Sequence, residues 1–387
     1  MSSGGRTGGR PDRERMRRKR ERIRRLKRRR RITIAILCGI LLLAVLAVAG
    51  IVMLIKNLAG RDADDGGKTP SQASDLTIEE QEKEEPPVSI TVSAAGDCTL
   101  GTDENFDQSR SLNAFYDSNG PAYFLQSVKP IFEADDLTIV NMEGTLTEST
   151  SRRDKTFAFK GPAEYTQILT EGSVEAANLA NNHSRDYGDQ SYTDTIAALD
   201  AAGIVNFGYD RTAVMDVNGV KVGLVGTYEL AEGMGCEEEM IANIKAVEEQ
   251  GAQIVIVSFH WGIEKENYPD ENQVNLAHSA IDNGADLVLG HHPHVLQGIE
   301  VYNGKNIVYS LGNFCFGGNS NPSDKDTMIF QQTFTVQNGE LVEDNVTNVI
   351  PCSLSSESGR NTYQPTPLEG EEKDRVMAKI QEFSAGL

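Results

Sequence analysis

The pattern of hydrophobic and polar positions divides the chain into three parts. Residues 32–55 form an unbroken run of 24 residues without a charge. Residues 56–87 are acidic and poor in large apolar side chains. From Val88 onward, short apolar runs alternate with longer stretches of helical periodicity. Short β-rich runs separated by amphipathic helices are typical of a layered α/β domain, which we predict for residues 88–350.

Five apolar runs of strand length share one feature, which is that each stops at a cluster of polar residues. Such a cluster follows residues 89–95, 137–140, 176–180, 254–259 and 286–290. In open α/β sheets, binding and catalytic groups gather in the loops beyond the carboxyl ends of the strands. If these five strands share a sheet, their polar ends converge.

Helical periodicity and turn signals complete this outline. Amphipathic patterns predict helices over residues 189–202, 236–250 and 272–284. Asn-Gly pairs at 218–219, 303–304 and 338–339 predict hairpins, and therefore some antiparallel strands. Residues 351–387 begin as a polar loop. They end in a predicted amphipathic helix that carries Val376, Met377, Ile380 and Phe383.

The uncharged run at 32–55 is long enough to span a bilayer, which takes roughly 20 apolar residues in a helix. A cleaved signal peptide is the alternative. However, its charged head and apolar run are usually much shorter, so a retained anchor is favoured. Residues 1–31 hold 16 Lys and Arg against three carboxylates. This asymmetry predicts a cytoplasmic head at 1–31 and an extracytoplasmic main domain.

Charge also narrows the set of partners. The basic head alone could bind nucleic acid, but directly beside a span it more readily contacts anionic lipid headgroups. The net charge is −20, and residues beyond 56 hold 54 acidic against 20 basic side chains. Such a body repels phosphate backbones, so we expect no nucleic-acid partner. The composition of residues 56–87 predicts an extended linker.

Cysteine usage is compatible with export. Cys98, Cys236, Cys315 and Cys352 lie beyond the predicted span, and none forms a C-x-x-C pair. A structural zinc knuckle is therefore not expected. Disulfides are permitted outside the cell, and four cysteines allow three pairings between which the sequence does not choose.

The polar strand ends carry side chains suited to a divalent metal. Carboxylate, amide and imidazole groups together favour Mn, Fe or Zn, in a site of one or two ions. Five of the six histidines lie at strand ends, whereas His278 falls inside a predicted helix. The predicted ligands are Asp97, Glu143, Asn182, His260, His292 and His294.

Each motif taken alone also has an ordinary structural explanation. Gly96-Asp97 could be a simple turn, and residues 141–144 could be a capped strand end. His183 could cap the following helix. Residues 291–294 are the strongest motif, because three imidazoles in four residues have little packing rationale.

The ordered set of motifs resembles the CapA/PgsA family of bacterial capsule (poly-γ-glutamate) synthesis proteins. The motifs are Ala95-Gly96-Asp97, Asn141-Met142-Glu143-Gly144, Asn181-Asn182-His183, His260-Trp261-Gly262, Gly290-His291-His292-Pro293-His294 and Tyr309-Ser310-Leu311-Gly312-Asn313-Phe314. The match covers residues 90–336, about two-thirds of the chain. It implies the layered αββα sandwich of the calcineurin-like metallophosphoesterases, here with an N-terminal transmembrane helix.

The resemblance also implies roles for individual residues. The predicted ligands would hold metal, and His183 would donate a proton to a leaving group. Catalytic relatives place a histidine at the position of Thr99, and Glu143 replaces their bridging aspartate. An extra residue in the last motif leaves open which two of His291, His292 and His294 are ligands.

Three cations close after the second motif are candidates for attracting an anionic substrate, although solvated surface charge explains them equally well. They are Arg152, Arg153 and Lys160.

Two functions are consistent with these sequence features. The first is a cell-membrane accessory protein of capsule or envelope polymer synthesis, working with other synthesis proteins of the membrane on an anionic polymer. The second is an active extracytoplasmic phosphoesterase unrelated to capsule. A non-catalytic scaffold that keeps only the fold is a third, weaker hypothesis.

Overall fold

Two β-sheets face each other at the centre of the computed structural model, which describes residues 86–387. The predicted cytoplasmic head (1–31), membrane span (32–55) and all but the last two residues of the linker (56–87) lie outside the described residues. Within the described part of the chain, no helix has the length and hydropathy needed to cross a membrane.

Sixteen strands form these sheets and a small two-stranded ladder. In chain order they are β1 Val88–Thr99, β2 Leu137–Met142, β3 Thr145–Leu146, β4 Lys160–Gly161, β5 Ala176–Asn178, β6 Val205–Phe207, β7 Ala213–Val217, β8 Val220–Tyr228, β9 Ile254–His260, β10 Leu287–His291, β11 Ile299–Tyr302, β12 Lys305–Val308, β13 Asn313–Phe316, β14 Asp326–Gln337, β15 Glu340–Ser353 and β16 Thr366–Pro367.

The first sheet has the order β16-β15-β14-β1-β2-β5-β6, and β13 also pairs with β1. The second sheet has the order β11-β12-β10-β9-β8-β7. Strands β1, β2, β5 and β6 run parallel, as do β8, β9, β10 and β12. The carboxyl ends of each parallel set therefore meet at one edge of its sheet.

Helices pack against both sheets. In chain order they are α1 Leu112–Asn119, α2 Ala122–Leu125, α3 Lys129–Phe132, α4 Thr166–Glu171, α5 Gly188–Ala201, α6 Glu237–Glu249, α7 Glu271–Asp282 and α8 Gly370–Ser384, with short 3-10 helices at Gln108–Arg110, Ala163–Tyr165 and Gly233–Cys236. The sequence pattern predicted α5, α6 and α7 to within one or two residues at each end.

Three apolar clusters hold the layers together. The inner faces of the two sheets pack against each other through side chains such as Ile139 and Ile256. Helices α1 to α5 pack on the outside of the first sheet, and α6 and α7 on the outside of the second. Val376 and Ile380 of α8 join the core between the sheets. The mixed α/β fold predicted from the sequence is confirmed.

The three Asn-Gly pairs form the predicted two-residue hairpins, between β7 and β8, β11 and β12, and β14 and β15. Both residues of each pair have positive φ, for example 54° at Asn218 and 88° at Gly219. Such turns match the twist of the flanking strands, and Asn and Gly adopt these angles at low cost. Cys98, Cys236, Cys315 and Cys352 are buried and free in the structure.

Strand β1 departs from the sequence-based outline, because it continues through Gly96 and Asp97 to Thr99. The parallel partner β13 explains this, since it supplies a second neighbour at that end of the strand. The register of β1 against β2 shifts between Ala94 and Asp97, so the pairing is irregular directly before the polar residues. Gly96-Asp97 is therefore strand rather than turn.

Two carboxyl groups at the opposite, amino-terminal edge of the first sheet predict a pH-dependent stability. Burial, with a contribution from Asp135, raises the pKa of Glu175 to about 7. Burial likewise raises the pKa of Asp135 to about 6. Because the folded state holds these protons more tightly than the unfolded chain, each carboxyl group stabilises the fold most at low pH. That contribution is lost as the pH rises from about 4 to about 7.

The free energy of unfolding of Glu175→Gln, taken relative to that of the parent, should therefore be higher at pH 8 than at pH 5. Glutamine keeps an oxygen that can accept the hydrogen bond from the Thr138 backbone N–H, which Glu175 accepts at 2.8 Å. Urea unfolding of parent and variant across this pH range measures the difference. Glu171→Gln, at an exposed carboxylate on α4, is the matched control. Parallel pH curves for the parent and Glu175→Gln would contradict the prediction.

Candidate metal centre

The polar strand ends predicted from the sequence meet between the two sheets. Asp97 lies near the end of β1, and Glu143 directly follows β2. His260 and His291 are the last residues of the neighbouring strands β9 and β10, where they are paired in register. The first sheet thus contributes the carboxylates, and the second contributes imidazoles.

Glycines make the close approach of the backbone at this edge possible. A Cβ atom at Gly96 would lie 1.9 Å from the carbonyl oxygen of Gly312, and one at Gly290 the same distance from that of Tyr309. His292 and His294 follow with φ of 95° and 59°, which is unusual for residues other than glycine. Backbone strain of this kind is kept where the surrounding contacts fix the conformation, and it is common at functional sites.

Glu143 is the centre of the cluster. Its Oε1 lies 3.7 Å from His260 Nε2, 3.8 Å from His294 Nε2 and 3.9 Å from His183 Nε2. Neither carboxylate oxygen has a hydrogen-bond partner, although the side chain is fully buried. Burial raises the pKa of this carboxyl group.

These separations fit a shared cation better than direct hydrogen bonds. They are too long for hydrogen bonds. Ligands at about 2.1 Å from a tetrahedral ion stand roughly 3.4 Å apart, which is close to what is seen. One ligand atom from each of Glu143, His292 and His294 lies within 4.8 Å of the others, a grouping that could hold one ion. The residues present therefore fit a divalent metal.

Asp97 is fully buried between both halves of the site. Its Oδ1 accepts a hydrogen bond from Asn141 Nδ2 at 2.8 Å. Its Oδ2 lies 3.2 Å from His294 Nδ1. Although burial opposes the charged form, His294 and His291 hold the pKa of Asp97 below its usual value. Conversely, Glu143 and Asp97 raise the pKa of His294 against the effect of burial.

His260 is held neutral in a defined orientation. Asn141 Nδ2 lies 3.4 Å from its Nδ1, and Asn182 Oδ1 lies 2.9 Å from its Nε2. Burial, followed by the neighbouring His292, holds the pKa of His260 well below its usual value. Burial likewise lowers the pKa of His292 to about 4. A neutral imidazole is the form that binds metal.

All three imidazoles of the 291–294 motif lie at the site, and His292 and His294 are the two that group with Glu143 as possible ligands of one ion. His291 is buried, its Nδ1 lies 3.6 Å from Asp97 Oδ1, and neither ring nitrogen has a hydrogen-bond partner. Burial lowers its pKa to about 4. His292 Nδ1 is also without a partner.

His183 belongs to a hydrogen-bonded group beside Glu143. Its Nδ1–H donates to Asp186 Oδ2 at 2.7 Å, which leaves Nε2 directed at the site. Lys155 Nζ donates to Asp186 Oδ1 at 2.7 Å and to the Asn182 carbonyl oxygen at 3.0 Å. Burial lowers the pKa of His183 and Lys155 adds to this, whereas Asp186 opposes it.

A buried network of amides holds the ligand loops in place. Asn141 Oδ1 accepts from Asn178 Nδ2 at 3.0 Å, and Asn181 Nδ2 donates to the Met142 carbonyl oxygen at 2.9 Å. Asn313 Oδ1 lies 2.9 Å from His294 Nδ1. The sequence analysis included Asn141, Asn181 and Asn313 in its motifs but gave them no role, and it did not include Asn178, Asp186 or Lys155. For Asp186, its position three residues after His183 was the available signal.

The three cations proposed for substrate have partners of their own. Arg152 donates to Asp103 Oδ2 at 2.8 Å and is largely covered. Arg153 is half exposed, 3.8 Å from Asp189. Lys160 donates to the Ser149 carbonyl oxygen at 2.9 Å and lies over the Tyr187 ring. A role for them in substrate binding stays a prediction.

Comparison with known proteins adds to this geometry. Residues 91–318 match a family model described as "Bacterial capsule synthesis protein PGA_cap". This match covers more than half of the chain and includes every predicted metal ligand.

The chain is also similar to individual curated proteins. It is 33% identical over 249 residues to "PGA biosynthesis protein CapA" of Bacillus subtilis, covering 59% of this chain and 63% of that one. It is 29% identical over 318 residues to "Capsule biosynthesis protein CapA" of Bacillus anthracis, covering 75% and 72%. A "Probable polyglutamine synthesis accessory protein" of Mycobacterium tuberculosis is 32% identical over 211 residues, covering 46% and 55%. The chain thus spans less than two-thirds of the first and third of these relatives.

A solved structure, that of a hypothetical protein from Thermus thermophilus, is 16% identical to the chain. The alignment has a TM-score of 0.43 and covers 68% of this chain and 99% of the Thermus thermophilus chain.

Metal binding gives a direct prediction for the site. Asp97→Ala, or His292→Ala combined with His294→Ala, should lower the metal content of the purified protein, because each removes side chains that face the cluster. Elemental analysis after loading with Mn²⁺ or Zn²⁺ and dialysis measures this. His278→Ala should retain the metal, since His278 stacks on Tyr302 and contacts Glu300 instead. Equal metal content in all variants, or none in the parent, would refute the assignment.

Proposed function

The chain belongs to the family of bacterial capsule synthesis proteins, and from this premise we propose that it is a membrane-anchored, extracytoplasmic accessory protein of capsule or poly-γ-glutamate synthesis whose domain binds a divalent metal. The relatives named for capsule, PGA and polyglutamine synthesis support the pathway. The buried, unpartnered Glu143 carboxylate among imidazoles is the observation that carries the metal-binding part.

The layered sheets and the order of the ligands support a metallophosphoesterase-like site of the calcineurin type. We propose Mn, Fe or Zn as the metal, because the facing groups are a mixture of imidazole, carboxylate and amide. When bound, such an ion lowers the pKa of water and neutralises charge on phosphate or carboxylate oxygens. The imidazole of His292, which burial keeps neutral and whose Nδ1 has no hydrogen-bond partner, can bind it without losing a proton.

Two functions are compatible with this site. As an accessory, the domain would bind an anionic polymer end through the cation and assist other synthesis proteins of the membrane. As an enzyme, it would hydrolyse an extracytoplasmic phosphoester unrelated to capsule. The His183–Asp186 pair specifically favours the enzyme, because Asp186 orients the imidazole so that Nε2 can exchange a proton with a bound group.

Thr99 favours the accessory function. This side chain is buried, and its hydroxyl group has no hydrogen-bond partner. It stands where the resemblance places a metal-binding histidine in catalytic relatives. With one ligand fewer at that position, turnover is less well supported than binding, so the accessory function is our first proposal.

The proposed anchor and orientation predict a protease result on intact protoplasts. Protease added from outside should digest residues 57–387 and spare the basic head, because the charge asymmetry places the head in the cytoplasm. Antibodies against tags at each terminus follow the two ends, and lysed protoplasts serve as the control in which both are accessible. Protection of the main domain in intact protoplasts would contradict the topology.

Replacement of His183 distinguishes the accessory function from the enzymatic one. In an active enzyme, His183→Asn should retain metal but lower phosphoester hydrolysis by roughly 10²–10⁴-fold, the usual contribution of a positioned acid. In an accessory protein, the parent should show negligible hydrolysis with Mn²⁺, Fe²⁺ or Zn²⁺, and gene deletion should still alter the envelope polymer. We predict the second outcome.

The measurement is the rate at which metal-loaded parent and variant hydrolyse a panel of phosphomonoesters and phosphodiesters. His278→Asn is the matched control, being a histidine outside the site. Robust metal-dependent hydrolysis by the parent that is lost in His183→Asn would overturn the accessory assignment.

A further inference from the structure

Two arginine side chains meet beside the loop that carries Asn182 and His183. Arg185 Nη1 lies 3.0 Å from Asp189 Oδ1, and Arg153 Nη2 lies 3.8 Å from the same oxygen atom. The two guanidinium nitrogens are therefore at most 6.8 Å apart, the sum of 3.0 and 3.8 Å. Two cations this close repel each other, and the single carboxylate between them offsets only one of the two charges.

Contacts on either side hold both arginines in position. The Arg185 guanidinium lies over the Tyr192 ring at 4.2 Å and over the Tyr209 ring at 5.8 Å. The backbone N–H of Arg153 donates to the Asp186 carbonyl oxygen at 2.8 Å. An arginine that lies on aromatic rings keeps the edge of its planar fork free for an oxyanion. The positions of both members are therefore fixed by contacts other than the one with their shared carboxylate.

The same stretch of chain connects this arginine pair to the metal centre. Tyr209 donates from its hydroxyl group to the Asn181 carbonyl oxygen at 2.8 Å, directly before the predicted ligand Asn182. The Asp186 side chain accepts a hydrogen bond from His183 Nδ1–H, while its carbonyl oxygen anchors one member of the pair. One extended ligand could therefore contact both the arginine pair and the metal centre.

The arginine pair differs from arginines that have a carboxylate of their own. Arg360 binds Glu357 through two hydrogen bonds, and Arg375 binds Asp326 in the same way. In contrast, the two members of the pair share one carboxylate, and their side chains are 54% and 38% exposed. Two positive charges and one negative charge leave a net charge of +1 that is accessible to a ligand.

We propose that the pair, Arg153 and Arg185, binds a carboxylate of a polycarboxylate chain whose end is held at the metal centre. Guanidinium groups bind carboxylates through paired N–H donors. The net charge of the pair matches a monoanionic carboxylate better than a phosphate dianion, and a chain of γ-linked glutamates offers one carboxylate on every residue. Arg185 was not among the cations predicted from the sequence. The proposal rests on the proposed function for the occupant of the metal centre, whereas binding at the pair itself requires no metal.

Calorimetric titration of the full-length chain in a nonionic detergent tests this, with tetra-γ-glutamate, glutamate and tripolyphosphate as probes. Metal-loaded parent should bind tetra-γ-glutamate more tightly than glutamate, because a chain contacts two sites at once. Arg153→Gln and Arg185→Gln should each weaken this binding about threefold, and the double variant about tenfold, as is usual for exposed charge pairs. Arg360→Gln, at another exposed arginine, should bind like the parent.

Asp189→Asn should give an effect of the opposite sign. It removes the carboxylate that competes with the ligand for both guanidinium groups, so tetra-γ-glutamate should bind about threefold more tightly. A merely structural role of the ion pair predicts no such gain. Circular dichroism confirms that every variant is folded.

Titrations of metal-loaded and of EDTA-treated protein distinguish this proposal from that for the metal centre. Weakening by the double arginine variant in EDTA-treated protein would support the pair even if the parent held no metal. Equal binding by parent and double variant in a protein that does hold metal would overturn the pair alone. Absence of tetra-γ-glutamate binding, no gain with Asp189→Asn, or tighter binding of tripolyphosphate would also overturn it.

Discussion

A buried carboxylate without a hydrogen-bond partner is the constraint on which the rest of this molecule depends. Glu143 is enclosed by imidazoles at distances too long for hydrogen bonds and suited to a shared cation. An unpaired buried charge costs several kcal/mol, and the carboxyl group responds with a raised pKa. A bound divalent cation would remove this cost, which is why the site is better explained by metal binding than by packing.

The architecture places the two halves of this cluster on different sheets. Asp97, Glu143 and the 182–183 pair lie at or just beyond the ends of strands of the first sheet. His260 and the 291–294 motif lie at or just beyond the ends of strands of the second. The site therefore exists only when the two sheets are docked through their shared apolar core. A bound metal and the packing of the sheets would therefore stabilise each other.

Local sequence patterns predicted most helices and hairpins, whereas features that depend on contacts between distant residues could not be predicted from them. The Asn-Gly hairpins and helices α5 to α7 follow from turn chemistry and periodicity, which act within a few residues. The continuation of β1 through Asp97 depends on β13, more than two hundred residues away, and no local signal reveals it. Likewise, the roles of Asn141 and Asp186 depend on which side chains the fold brings next to them.

Anomalous X-ray diffraction from crystals of the protein grown with Mn²⁺ or Zn²⁺ tests the central claim most directly. The account predicts a strong anomalous peak between the two sheets, within bonding distance of Glu143, His292 and His294. No peak there at full loading, or a peak only at surface carboxylates, would contradict it.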